Sequence, residues 1–139
     1  MDFWTGVLDI EWHVTNSQAC SIQLVDGTPE LFDAAGGRAF VVARAQFPDR
    51  PSFQGWIAFN PALRPTESEM FVVSVHEIGH LFGLSHNPSG SSVMFFLELD
   101  ESVFLEVADL NRLAGRHKLR AGIFEERGLT AIQVAVPSR

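Results

Sequence analysis

The segment from residue 76 to residue 86 constrains this chain more than any other part of its sequence. It contains three histidines, His76, His80 and His86, with Gly83 between the second and the third. On an α-helix, residues four apart project from the same face, so His76 and His80 can reach one point. His86 is too far along a straight helix to reach it. The helix must therefore end and the chain turn back, and a glycine at position 83 permits the left-handed conformation of such a turn.

The residues before this segment predict the helix that it requires. Thr66 and Glu69 match a capping box, in which each side chain binds a free backbone amide of the first turn. We expect a helix from about Glu67 to about Gly83. The apolar residues of this stretch recur at the spacing of one helical face, and they are Phe71, Val72, Val75, Ile78, Gly79 and Phe82.

The spacing of the three histidines is typical of a zinc site. Imidazoles one helical turn apart can bind one ion at about 2.0–2.1 Å, and a third histidine leaves the fourth tetrahedral position open, as in catalytic zinc sites. Glu77 follows His76, about 100° around the helix. It can therefore lie beside the ion without binding it, where a general base belongs. The alternative, histidines that only complete a core, is disfavoured by the match of every spacing.

Composition limits the class of protein. The chain has 139 residues, of which 46% are hydrophobic, and this excludes an intrinsically disordered chain and predicts a single domain over residues 1–139. A formal charge of −7 argues against a nucleic-acid partner. No apolar run is long enough to span a membrane. The one cysteine, Cys20, excludes an intrachain disulfide, and the first residues do not resemble a signal peptide.

Hydrophobic periodicity predicts both strands and helices. Alternating or β-rich runs predict strands at residues 7–14, 21–25, 38–45 and 55–60. Because Pro61 follows the last of these runs, we expect that strand near a sheet edge. A second helix is predicted at residues 103–119, with a buried side formed by Leu110, Leu113, Ala114 and His117.

The tail, Ala121 to Arg139, has a strand-like stretch at residues 129–136. Its apolar side chains predict that the tail packs on the core.

The histidine motif at residues 76–86 resembles that of a known family. Residues 76–86 match the HExxHxxGxxH signature of the metzincin metallopeptidases, and the details most resemble the matrixin branch. Met94 is similar in position to the methionine of the family's Met-turn, which lies beneath the metal. Asp109 matches the acid that hydrogen-bonds the Met-turn backbone. Residues 55–60 resemble the edge strand that lines the substrate cleft, so the cleft candidates are Trp56, Ile57, Ala58 and Phe59, with Phe95 and Phe96 after the methionine.

The resemblance implies an α+β, metzincin-like zincin fold. A twisted mixed sheet would pack on the active-site helix, followed by a Met-turn and a C-terminal helix. It also implies a zinc-dependent endopeptidase with one catalytic Zn²⁺ on His76, His80 and His86, and with Glu77 as the base that passes a proton to the leaving amine. Gly83 and Asp109 would have structural roles. The implied partner is a peptide or protein substrate, a monomer is favoured, and a secreted or periplasmic location is implied.

Two other functions stay open. One is a catalytically silent zinc-containing binding module in which a segment such as the tail occupies the cleft. The other is a zinc hydrolase that acts on something other than peptides. If the chain is a peptidase, the absence of charge at residues 93–97 predicts cleavage before medium to large apolar residues, because a charged residue would lose its hydration there without a partner.

The sequence departs from the family in several places. Matrixins have a long helix before the second strand, and nothing in residues 1–37 resembles one, so the domain is trimmed or an N-terminal part lies outside this sequence. A second, structural zinc would have only His13 and His117 as histidine ligands, and structural roles are favoured for both. Residues Glu98, Asp100 and Glu101 lack EF-hand spacing, which favours a solvated loop over a calcium site. Cys20 is interpreted as a buried thiol.

Overall fold

The computed structural model describes residues 1–17, 21–33, 41–46, 53–95 and 103–126. In these ranges the chain forms five helices and three strands. In chain order they are α1 (Asp2–Thr5), β1 (Ile22–Val25), α2 (Pro29–Asp33), β2 (Ala43–Gln46), β3 (Gly55–Phe59), α3 (Glu67–Leu81), α4 (Val107–Ala114) and α5 (Ile123–Glu126). This is the α+β class that the sequence predicted. None of the described helices is long and apolar enough to cross a membrane.

The three strands form a mixed sheet in the order β1-β3-β2. β1 pairs with β3 in parallel, and β2 pairs with β3 antiparallel. The predicted strands at residues 21–25, 38–45 and 55–60 are thus confirmed where the structure describes them, although β2 begins only at Ala43.

The prediction that residues 55–60 form an edge strand is wrong. β3 is hydrogen-bonded on both sides, so its backbone has no free edge for a peptide, and β2 lies at the edge of the described sheet. Ile57 and Ala58 are 1% and 0% exposed. Pro61 does end the strand, but a strand's end says nothing about which neighbours flank it. A peptide substrate therefore cannot pair with the backbone of the cleft candidates on β3, which are Trp56, Ile57, Ala58 and Phe59.

Helix α3 forms as predicted. The Glu69 backbone N–H donates to Thr66 Oγ1 at 3.2 Å, and the Thr66 N–H donates to Glu69 Oε2 at 2.6 Å, which completes the capping box. The helix ends at Leu81, with Phe82 as its cap, and packs on β2 and β3. It lies at the centre of a core whose largest fully buried side chains include Trp4, Ile57, Leu81, Phe82, Met94, Leu110 and Leu113.

The predicted strand at residues 7–14 is wrong. Only Leu8 makes a β-bridge, with Leu119, and the turn before it follows helix α1. The apolar side chains of the alternating pattern are not buried either, since Trp12 is 43% and Val14 is 88% exposed. Alternation of side chains forms a strand only where a neighbouring strand can pair, and here none is found among the described residues. Trp12 instead donates its indole N–H to Asp2 Oδ1 at 3.0 Å.

The second helix is shorter than predicted. α4 spans Val107–Ala114 rather than residues 103–119, with Glu106 as its N-cap and Gly115 as its C-cap. Leu110 and Leu113 are fully buried, as predicted, whereas Ala114 is exposed. The predictions for Cys20, Phe96, the acidic residues at 98, 100 and 101, and the strand-like residues 129–136 lie outside the described residues.

Candidate metal centre

Three histidines converge beside the C-terminal half of α3. His76 and His80 lie on the helix, and His86 follows the turn after it. One nitrogen from each ring can be chosen so that the three atoms lie within 4.8 Å of one another. The ring centroid of His80 lies 4.8 Å from that of His76 and 4.8 Å from that of His86. Among the residues that the structure describes, no other group of three such side chains has this geometry.

Backbone carbonyls fix the orientation of two of these rings. His76 Nδ1 lies 2.6 Å from the Val93 carbonyl oxygen, and His80 Nδ1 lies 2.8 Å from that of Leu84. A carbonyl can only accept, so Nδ1 carries the hydrogen in each ring, and Nε2 of the neutral ring keeps its lone pair. The two Nε2 atoms are 3.1 Å apart. Two ligands of one tetrahedral zinc lie about 3.3 Å apart, so the pair fits a shared cation.

The protonation state of the histidines favours metal binding. The pKa of His76 is lowered to about 4, mainly by burial; the hydrogen bond to Val93 opposes this shift, and the nearby His80 and His86 add to it. Burial also lowers the pKa of His80. Metal ligation requires the neutral imidazole. At neutral pH, His76 is therefore already in the form that binds a cation.

Glu77 follows His76 on α3 and is half-buried. Burial raises the pKa of its carboxyl group to about 7, although a hydrogen bond from the backbone of Ala45 opposes the shift. A carboxyl group with a pKa near neutrality can both accept and release a proton at that pH. Its place next to His76 was predicted from the sequence, but the contact with the edge strand β2 was not.

The turn that brings His86 back depends on Gly83. Its φ is 95°, a conformation that L-residues with side chains rarely adopt. Its N–H donates to the His80 carbonyl at 2.9 Å, and the Leu84 N–H donates to the Gly79 carbonyl at 2.9 Å. These bonds satisfy the last carbonyls of α3 while the chain reverses. The predicted reason for the glycine is thus observed.

Met94 is fully buried against α3. A Cβ placed on Gly79 would lie 2.5 Å from the Met94 sulfur, so the absence of a side chain at Gly79 makes room for the methionine. Met94 also follows Val93, whose carbonyl orients His76. This position is compatible with the Met-turn that the resemblance implies.

Asp109 fixes the loop that follows His86. Its carboxylate, 2% exposed, accepts hydrogen bonds from Ser92 Oγ at 2.7 Å, from Asn87 Nδ2 at 3.1 Å and from the Glu106 N–H at 3.0 Å. The predicted contact with the backbone around Met94 is indirect, because Ser92 Oγ in turn accepts from the Met94 N–H at 3.0 Å. Asp109 therefore ties the start of α4 to both ends of this loop.

Sequence reasoning missed the partners of Asp109. Asn87 and Ser92 are 8% and 4% exposed, which is unusual for polar residues, but they stand in a loop rich in Pro, Gly and Ser. Glu106 accepts hydrogen bonds from Ser89 Oγ at 2.6 Å and from Ser91 Oγ. The one signal in the sequence was Asp109 itself, three residues after Glu106, because a carboxylate at this spacing is typical of the first turn of a helix.

The structure also describes three other residues that the sequence analysis singled out. Phe95 is half-buried, directly after Met94. His13 is exposed, and His117 lies against the Phe82 carbonyl with Nε2 at 2.7 Å. The structural role favoured for His117 agrees with this contact.

Comparison with known proteins identifies the family. The family model for matrixins, peptidase family M10, matches residues 1–114. Human matrix metalloproteinase-17 is 31% identical in an alignment 105 residues long, which covers 66% of this chain and 17% of that protein. The chain belongs to the matrixin family of metzincin metallopeptidases. It spans less than a fifth of the length of this curated relative.

Proposed function

We propose that this chain is a zinc-dependent endopeptidase domain. One observation carries the proposal. One ring nitrogen of each of His76, His80 and His86 lies within 4.8 Å of the others, and two of the rings are held at Nδ1 by backbone carbonyls. Glu77, the residue after His76 on the same helix, has a half-buried carboxyl group. The relative named above is a metalloproteinase, and the family is a peptidase family.

The chain's own residues divide the chemistry between them. His76, His80 and His86 would hold the zinc ion, which when bound polarises the scissile carbonyl and makes water more acidic. Glu77 accepts the proton of the attacking water and delivers it to the leaving amine. Val93 and Leu84 keep the rings in the ligating tautomer through their carbonyls. Met94 closes the floor of the site as the Met-turn methionine.

An extended peptide would bind along β2. β2 lies at the edge of the described sheet, and Ala45 of β2 bonds to Glu77, so a peptide paired with β2 would pass the proposed base. We also propose that Phe95 and Phe96, the cleft candidates after Met94, line the pocket for the residue after the scissile bond. A cleavage profile of a peptide library should show medium or large apolar residues there, and a dominant preference for charged residues would contradict it.

The test separates metal binding from catalysis. Glu77→Gln should retain one zinc per chain, because Glu77 is not a ligand, and should lower the rate of peptide cleavage by about 10²–10⁴-fold. His76→Ala with His80→Ala should abolish zinc binding. If Glu77→Gln cleaves at the wild-type rate, the proposed mechanism is wrong.

The second candidate is a silent zinc-containing binding module. Zinc binding without cleavage of any protein substrate by the wild-type chain would favour it. The intact Glu77 counts against this alternative, since a module that only binds zinc has no need of a buried carboxyl group beside the metal ligands.

A further inference from the structure

α4 and the residues directly after it contact the chain reversal in antiparallel order. Asp109 binds Asn87, the Arg112 guanidinium donates to Ser85 Oγ, Arg116 Nη1 donates to the Gly83 carbonyl at 3.0 Å, and His117 Nε2 lies 2.7 Å from the Phe82 carbonyl. We call residues 82–87 the reversal segment. It contains His86 and begins at the C-cap of α3.

Two of these contacts flank the third histidine, Arg112 with Ser85 directly before it and Asp109 with Asn87 directly after it. The buried residues Leu84 and Asn87, 3% and 8% exposed, hold the reversal segment on either side. Between them, Ser85 and His86 are both exposed, so packing does little to fix this part of the backbone. The hydrogen bond from Arg112 restrains the side chain of Ser85, directly before His86.

We propose that Arg112 is a positioning residue for His86 and so raises the zinc affinity of the site. This inference rests on the proposed function, because it concerns the same metal. Arg112 does not touch the histidines itself. It acts through Ser85, so that His86 is held near the point that His76 and His80 define. Since the contact is exposed, it adds little to the free energy of unfolding, and its effect should be on metal binding.

The experiment measures zinc affinity of the full chain by competition with a chromogenic chelator at pH 7.5. Arg112→Ala should weaken zinc binding by about 3- to 5-fold, less than the loss of a group bonded directly to a metal ligand would, because Arg112 acts through Ser85 in an exposed contact. Ser85→Ala should weaken it similarly, and the double variant should be no weaker than either single variant, because both lose the same bond. Arg112→Lys, which keeps a donor and the charge, should restore part of the affinity.

A spectroscopic measurement separates positioning from a general loss of stability. In the cobalt-substituted protein at saturation, Arg112→Ala should alter the d–d absorption, because the coordination geometry at His86 is less constrained. Arg120→Ala is the matched control. It removes the same charge from an exposed position beyond α4, and it should change neither the affinity nor the spectrum.

The outcomes distinguish this inference from the proposed function. If the wild-type chain binds one zinc but Arg112→Ala and Ser85→Ala match it within twofold and give its cobalt spectrum, the positioning role is wrong and the proposed function stands. If the wild-type chain binds no zinc, both are overturned. An equal loss of affinity in Arg120→Ala would assign the effect to charge alone and would also overturn the positioning role.

Discussion

Glu77 is the residue at which function and stability conflict. Its pKa is raised to about 7 by burial, from 4.5 in a solvated chain. A raised pKa in the folded state means that the unfolded state releases its proton first as the pH rises. In the metal-free protein, this carboxyl group therefore makes its full favourable contribution to the free energy of unfolding below pH 4.5. The contribution is lost as the pH rises through about 7.

This conflict predicts that Glu77→Gln stabilises the metal-free protein at high pH. Urea unfolding in a chelator at pH 8 should show a gain of up to about 3 kcal/mol over the wild type, from 1.36 kcal/mol per pKa unit. The gain should shrink toward zero at pH 4.5. Glu67→Gln, at an exposed position of the same helix, is the control for the loss of one negative charge. A difference that does not change with pH would contradict the buried environment of Glu77.

Gly79 is the second residue whose substitution tests the site. Alanine has the higher helix propensity by about 1 kcal/mol, but its Cβ would lie 2.5 Å from the Met94 sulfur and 3.4 Å from the Trp4 ring. Overpacking of this kind costs about 1–3 kcal/mol. Gly79→Ala should therefore lower the free energy of unfolding by about 1 kcal/mol.

Gly115 offers a matched control for this substitution. Its φ is −70°, and a Cβ there would have its nearest neighbour at 3.5 Å, so Gly115→Ala should be neutral or slightly stabilising. Both variants are compared by urea denaturation. If Gly79→Ala gained as much stability as Gly115→Ala, the close contact with Met94 would not exist.

At the scale of the elements, α4 organises the loop after α3. Asp109→Ala would leave Ser92 Oγ, Asn87 Nδ2 and the Glu106 N–H without their buried acceptor. Each orphaned buried donor costs about 1–3 kcal/mol, so the variant should lose about 3 kcal/mol or more of unfolding free energy. Zinc affinity should fall as well, because the same loop contains Val93, which orients His76.

Asp9→Ala serves as the comparison for that loss. Asp9 pairs with Lys118 at the surface, where both side chains are mostly exposed, and such pairs contribute about 0–1 kcal/mol. Denaturation of the two variants side by side tests the difference. An Asp109→Ala variant no less stable than Asp9→Ala would refute the role assigned to the buried carboxylate.

At the scale of the whole molecule, the metal should contribute to stability. The three histidines come from both sides of the chain reversal, so zinc would bind the folded chain and not the unfolded one. Free zinc at a thousandfold excess over Kd adds about 4 kcal/mol, which for a domain of this size raises Tm by about 10 °C or more. Thermal unfolding with zinc and with chelator measures this shift. His76→Ala with His80→Ala should remove it, and a shift that persists in this variant would place the metal elsewhere.

Features that depend only on neighbouring residues could be predicted from the sequence. The capping box of Thr66 and Glu69, the spacing of His76 and His80 and the reversal at Gly83 follow from helix geometry over a few residues, and all appear as predicted. The family resemblance rests on the same local pattern. Strand positions were also predicted well wherever a run of β-forming residues ended at a glycine or proline.

The tertiary structure alone decided which parts of the chain meet. Nothing local shows that β3 lies between β1 and β2, that residues 7–14 find no pairing strand, or that Arg112 contacts Ser85. These contacts join residues far apart in sequence, and their free energy depends on how every element packs at once. A periodic pattern shows which face of an element is apolar, but its partner is set only when the elements compete for the same core.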